Sequence, residues 1–236
     1  MRRAFVVLLM LSLAALLIAG LSGVPTPEDR IGDSRVIGHI LDEGVTDTGA
    51  VNLIAAVLFD YRGLDTLGEA TVVFTCVAGL LLLLGTGGPR REGNSMSPLA
   101  RRSVDILVPF IFLFGLIVIA HGHITPGGGF QGGVVLATCA IVICMVHGID
   151  APSPLLRLKL ATAVESAGAL AFVGIGLVGI LAGAQFLTNL GAGFPAGRPG
   201  SLLSAGSIPF LNLAVGLKVG AGLTLIFCTM VRGPEP

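Results

Sequence analysis

The chain has 236 residues, 53% of them hydrophobic and only 12% charged, with 14 basic against 14 acidic side chains. Soluble domains carry roughly twice that charged fraction, and the mean hydropathy is +0.93. Neutrality argues against a polyanion-binding surface, while apolar runs of about 18 residues indicate helices that cross a bilayer.

Six spans are expected in chain order, giving an all-α, polytopic integral membrane protein. The first, Phe5–Leu21, follows Arg2 and Arg3. A basic start before an apolar run also describes a signal peptide, but this run is longer than a usual signal core, which favours a retained helix. Ser22–Thr48 is then an outer loop with Glu28, Asp29, Asp33, Asp42, Glu43 and Asp47 against Arg30 and Arg35. "AVNLIAAVLFD" is too short to span and too apolar for a solvated loop, which suits an interfacial or partner-packed helix.

The second span, Leu67–Leu84, opens on "DYRGLDTLGEA", Asp60–Ala70. Thr66-x-x-Glu69 has the spacing of a capping box, whose hydroxyl and carboxylate satisfy free N–H groups of the first turn. Arg62 can pair with Asp60 or Asp65. An ion-access role for this acidic stretch is the functional alternative. Arg90, Arg91, Arg101 and Arg102 crowd the link to the third span, Val104–Ala120.

"HGHITPGGGFQGG", His121–Gly133, is a Gly-rich connector between helices three and four. It contains G-x-G-x-x-G, but a dinucleotide site needs a preceding β-strand and a βαβ unit. His121 and His123 have no Cys, Asp or Glu nearby to complete a metal shell. They read as interfacial side chains bonded to loop carbonyls, with proton handling as the alternative. Pro126 stops a helix, and Gly127, Gly128 and Gly129 supply conformations that other residues resist. Gly128 with Gly132, and Gly129 with Gly133, lie four apart around Gln131 and form a smooth face if helix four begins there. Irregular backbone at membrane depth persists only when protein buries it or water lines it. A connector packed against partners is therefore expected.

Val134–Val146, Leu156–Leu187 and Phe210–Val231 complete the set; the long fifth span must tilt or project. Arg157 and Lys159 lie between spans four and five and Arg232 follows six, whereas the loop after five has Arg198 alone. Basic residues collect in cytoplasmic loops, which places both termini in the cytoplasm. Cys76, Cys139, Cys144 and Cys228 lie within spans without metal-ligand spacing and read as buried small hydrophobes. Gly179/Gly183 and Gly216/Gly220 repeat the close-packing spacing.

Glu165 and Lys218 stand deep inside spans five and six. At about 1.5 Å rise per residue, antiparallel spans put Glu165 nearer the inner face and Lys218 nearer the outer, offset by about 5–10 Å. Long side chains or one water bridge such a gap. A structural ion pair, a snorkelling lysine and a transport role are all open, and ionisable groups at this depth are functional candidates. With no nucleophile–base pair, metal cluster or nucleotide motif in context, no catalytic site, metal or cofactor is expected.

"VPFIFLFGLIVIAHGHITPGGGFQGGVVLA", "ESAGALAFVGIGLVGIL" and "LNLAVGLKVGAGLTLIF" together resemble the MnhB-type (MrpB) subunit of multisubunit Na+/H+ antiporters, the Mrp family, over Arg102–Val231. "AAVLFDYRGLDTLGEATVVF" is similar to the MbhE-type segment of related complexes, with Tyr61 where that pattern usually has Phe. The resemblance implies an MbhE-like two-helix segment, residues 1–102, and an MnhB-like four-helix domain, residues 103–236. It implies a non-enzymatic subunit in the cell membrane, associated with other membrane subunits of a complex that exchanges Na+ for H+. Glu165, Lys218, Glu69 and His121, with His123 beside it, are the ion-path candidates. A membrane-bound hydrogenase or related respiratory complex uses the same module, and a purely structural scaffold is the third reading.

Overall fold

The computed structural model describes residues 10–12, 14–16, 18–19, 35–85 and 96–233. The chain divides into two compact units, Met1–Asp42 and Glu43–Pro236. In the first, the described residues between 10 and 19 are helical. The rest of the expected first span lies outside the described residues, as do Arg2, Arg3, Arg90, Arg91 and much of the acidic loop.

Part of that expected loop is helical instead: α1 is Arg35–Thr48. Ile37, Ile40, Leu41, Gly44 and Thr48 fall three or four residues apart, a helical stripe that the interspersed acids obscure.

In the second unit, Asn52 caps α2, Leu53–Ala56, by accepting a hydrogen bond from the Ile54 N–H. The chain continues through a π turn, Val57–Tyr61, into α3, Gly63–Leu84. Then follow α4, Pro98–Ala120, α5, Gly129–His147, α6, Leu158–Leu181, and α7, Ile208–Arg232. These last five, α3 to α7, are long and apolar enough to cross a membrane. The protein is an all-α, multi-pass membrane protein.

Two local expectations are corrected. The capping box does not form, because the chain leaves the π turn already wound and α3 starts at Gly63, ahead of Thr66. The Thr66 hydroxyl instead donates to the Leu58 carbonyl at 2.5 Å, while Glu69 is exposed. The π turn closes with the Arg62 N–H bonded to the Val57 carbonyl, five residues back, which displaces the local carbonyl pattern. Arg62 pairs with Asp65, the two being bonded through Nε at 2.6 Å.

The fifth span ends at Leu181, not Leu187. Gly183 adopts φ +76°, and the chain folds back so that the Ala184 and Leu187 amides bond to the Gly179 and Gly176 carbonyls. A turn, rather than tilt alone, absorbs the extra length. Gly179 therefore packs against its own returning chain and Gly183 faces nothing within 4 Å, so this pair is not a helix-packing face.

α7 is the centre of the bundle. Of its most apolar stretch 61% is buried, against 11% in α3 and α4, and it packs chiefly on α5 and α6, then α3. Glycine permits the approach: a methyl at Gly133 would lie 2.8 Å from the Gly216 carbonyl, and one at Gly168 would lie 2.7 Å from that of Ala214. Phe172, Leu211, Val215 and Val219 fill the core together with Ala55, Ala56 and Phe59. The segment around α2 thus packs on its own chain. Cys139, Cys144 and Cys228 are buried, but Cys76 is exposed, on a face of α3 that also shows Val72.

Candidate functional site

The expected gap between Glu165 and Lys218 is closed without water. Lys218 Nζ donates directly to Glu165 Oε1, forming an ion pair whose residues are 1% and 2% exposed. Both backbones are drawn together by glycine. Gly168 leaves room for the Lys218 Cβ, and Gly222 lies close to Glu165 Cγ. The ammonium also sits 5.3 Å from the ring centroid of Phe74 on α3, a favourable distance for a cation over an aromatic face. A cavity of about 380 Å³ between α3 and α6 reaches Lys218 past Leu67, Thr71, Phe74 and Ser166.

Each charge satisfies the other, so the pair is tolerable at this depth only while the contact holds. Its chemistry has two forms. Proton transfer along the bond leaves a neutral acid and amine, and separation leaves a carboxylate that an incoming cation must balance.

The other candidates lie elsewhere. Glu69 is exposed on α3, and His121 Nδ1 contacts the Ile117 carbonyl at 3.1 Å; neither hydrogen-bonds to the pair. His123 is fully buried, with Nε2 3.2 Å from the Ser201 carbonyl. Burial lowers its pKa from the usual histidine value, and the Ser201 carbonyl opposes that shift. His123 thus bonds a loop carbonyl, while His121, the C-terminal cap of α4, bonds a carbonyl of that helix.

The connector is sewn to the chain itself. Gly127 and Gly128 take φ of 151° and 143°, and helix α5 begins at Gly129, five residues ahead of the expected span at Val134. Asn212 of α7 accepts the Gly129 N–H at 2.8 Å. Asn52 Nδ2 donates to the Gly122 carbonyl at 2.7 Å and the Thr125 carbonyl at 3.0 Å, and its N–H to the His123 carbonyl. Gly132 packs on α4 near Gly115, and Gly129 on α7 near Val215. Pro126 and Gln131 are exposed.

A third asparagine ties the acidic stretch to the loop after α6. Asn189, 3% exposed, donates to the Thr48 carbonyl and to Asp60, and accepts from the Ser207 amide and hydroxyl. Burial raises the Asp60 pKa; Asn189 works against this and Asp47 adds to it. Tyr61 donates to Asp47 at 2.9 Å. Asn52, Asn189 and Asn212 were not singled out by sequence reasoning. Asn212 carried a signal, as a lone amide among apolar residues of a span.

Residues 99–225 match the family model described as a domain related to the MnhB subunit of Na+/H+ antiporter. An uncharacterized protein of Methanocaldococcus jannaschii is 32% identical over 197 residues, 73% of this chain and 74% of that protein. Among solved structures, a chain of the membrane-bound sulfane sulfur reductase, an archaeal respiratory membrane complex, superposes with TM-score 0.76 at 33% identity, covering 98% of both chains. A chain of the Mrp complex from Dietzia sp. DQ12-45-1b gives TM-score 0.67 at 26% identity, covering 100% of this chain and 26% of that one.

Proposed function

The chain belongs to the family of MnhB-related domains, and from that premise we propose that it is a membrane subunit of an Mrp-type Na+/H+ antiporter, serving assembly and the cation path. The observation that carries this reading is the closed Glu165–Lys218 pair. A carboxylate so deep in a span is suited to holding a cation, or a proton, when its lysine swings away. Glu69, His121 and His123 are outer candidates along the same route. The reading includes six spans, cytoplasmic termini, an MbhE-like segment in residues 1–102 and an MnhB-like domain in 103–236.

A related setting has its own support. The respiratory reductase chain matches over nearly the full length of both proteins, which favours the same role in an ion-pumping redox complex. Mass spectrometry of the affinity-purified assembly separates the two: redox subunits alongside the chain select the respiratory complex, and antiporter subunits alone select the antiporter.

The transport role is tested in sealed vesicles carrying the assembled complex, with Glu165→Gln and Lys218→Met combined. Normal assembly with lost Na+-dependent proton movement supports the role. Normal assembly with full transport overturns it and leaves a structural scaffold.

A further inference from the structure

The cavity of about 380 Å³ between α3 and α6 has a lysine in its wall. Lys218, from the central helix α7, borders it together with Thr71, Phe74 and Ser166. Glu165 is not part of that wall and packs beside Gly222 instead. The ammonium therefore has its carboxylate on one side and open space on another. It carries three N–H donors, of which one goes to Glu165, and the Phe74 ring centroid stands 5.3 Å from Nζ. The Thr71 hydroxyl donates to the Leu67 carbonyl, which leaves its own oxygen able to accept. Ser166 brings a second hydroxyl to the same cavity, and the remaining walls, Leu67 and Val173 among them, are apolar.

We propose that this cavity is the alternative seat of the Lys218 ammonium. When the pair opens, the side chain turns from Glu165 into the space between α3 and α6, over the Phe74 ring and toward the Thr71 and Ser166 oxygens. The inference rests on the transport reading and makes Thr71, Phe74 and Ser166 positioning residues for it. A flexible four-carbon stem carries the charge, and a water molecule takes up only about 30 Å³, so the cavity has room for the ammonium with some water. The ring attracts the cation, more strongly as water is excluded. Neutral oxygens and a ring do not balance a full charge, however, and apolar walls hold little water, so this seat is weaker than the ion pair. Lys218 occupies it only while a proton or an incoming cation neutralises Glu165, and returns when that charge leaves. The cavity thus gives the opening of the pair a direction and a way back.

The test is cryo-electron microscopy of the complete complex in lipid nanodiscs, native and with Glu165→Gln. Density for the Lys218 side chain should end at Glu165 in the native complex, and beside Phe74, between residues 71 and 166, in the variant. An ammonium that stays at the residue 165 amide, or lipid density filling the cavity in both, would overturn the proposal. A second arm keeps the pair intact, in case Glu165→Gln does not assemble. Phe74→Leu should lower the maximal rate of Na+-dependent proton movement about fivefold, the worth of a cation over a ring, with little change in the Na+ concentration for half-maximal rate. Phe74→Tyr should restore the rate, and Thr71→Val with Ser166→Ala should lower it in the same way. Native rates in both of the lowering variants would also overturn the proposal. Full transport with Glu165→Gln and Lys218→Met combined would instead sink the transport reading, a result that the position of Lys218 in the images does not depend on.

Discussion

Lys218 and Glu165, 53 residues apart in sequence, meet as a direct ion pair at the centre of the bundle. Nearly all of both side chains is shielded from solvent. The contact joins α6 to the most buried helix of the fold, and breaking it from either side exposes the same weakness.

Removing one partner leaves an uncompensated charge. Glu165→Gln or Lys218→Met alone should destabilise the chain by about 3–5 kcal/mol, whereas the double replacement should be close to neutral. Thermal unfolding of the purified complex, followed by the fluorescence of a thiol-reactive dye, checks this. Equal losses in single and double variants would mean that packing, not charge, dominates the site.

Glycine substitutions should separate by sign. A Gly133→Ala methyl would meet the Gly216 carbonyl, a backbone atom that cannot yield alone, and should cost about 1–3 kcal/mol. A methyl added at Gly79 in α3 would meet nothing within 4 Å, so Gly79→Ala should stabilise the helix by about 0.5–1 kcal/mol. Melting temperatures moving the same way in both variants would contradict the packing described for α5 and α7.

Acid should loosen the connector. The His123 pKa is lowered in the folded chain, burial being the largest cause, so the unfolded chain binds the proton more readily. Its contribution is fully present above the unfolded value of about 6.5 and is lost as pH falls through the lowered folded value. Asp60, raised from 3.8, has the opposite sign: the folded chain gains on protonation in the range just above that lower value. Hydrogen exchange of the 121–128 backbone should therefore quicken on going from neutral pH to about pH 5.5, after correction for intrinsic rates, and His123→Gln should flatten the change. A pH-independent protection in the native protein would remove histidine from this account.

Orientation is open to impermeant thiol reagents once the native cysteines are replaced. Arg198→Cys, in the exposed loop after α6, should label from outside intact cells. Met96→Cys, exposed just before α4, should label only after the membrane is opened. Outside labelling at position 96 would reverse the topology drawn from the basic residues.

Helix positions α3 to α7 were legible because long apolar runs and glycine spacing carry their own physical meaning. Glu165 and Lys218 were legible for a related reason: charge is rare enough inside a span that each instance asks for a partner. The start of α3 was not, since Thr66 and Glu69 have capping spacing and only the π turn before them removes the need for it. The asparagine stitches were hidden differently. Asn189 reaches Thr48, 141 residues away, and local pattern contains no trace of a bond whose ends meet only after folding.

The central position of α7 has a consequence for how the protein is made. Spans enter the membrane in chain order, and α7 is the last of the five in sequence. Until it arrives, Glu165 on α6 lacks Lys218, and the Gly129 amide at the start of α5 lacks the Asn212 oxygen that accepts it. A bare carboxylate in the bilayer interior is strongly disfavoured, so Glu165 is matched soonest if α6 and α7 enter in step as a helical hairpin. The newly inserted chain stays loosely assembled until the final span docks. That interval is when quality-control proteases would find it most easily, and when a waiting neighbouring subunit would shelter it.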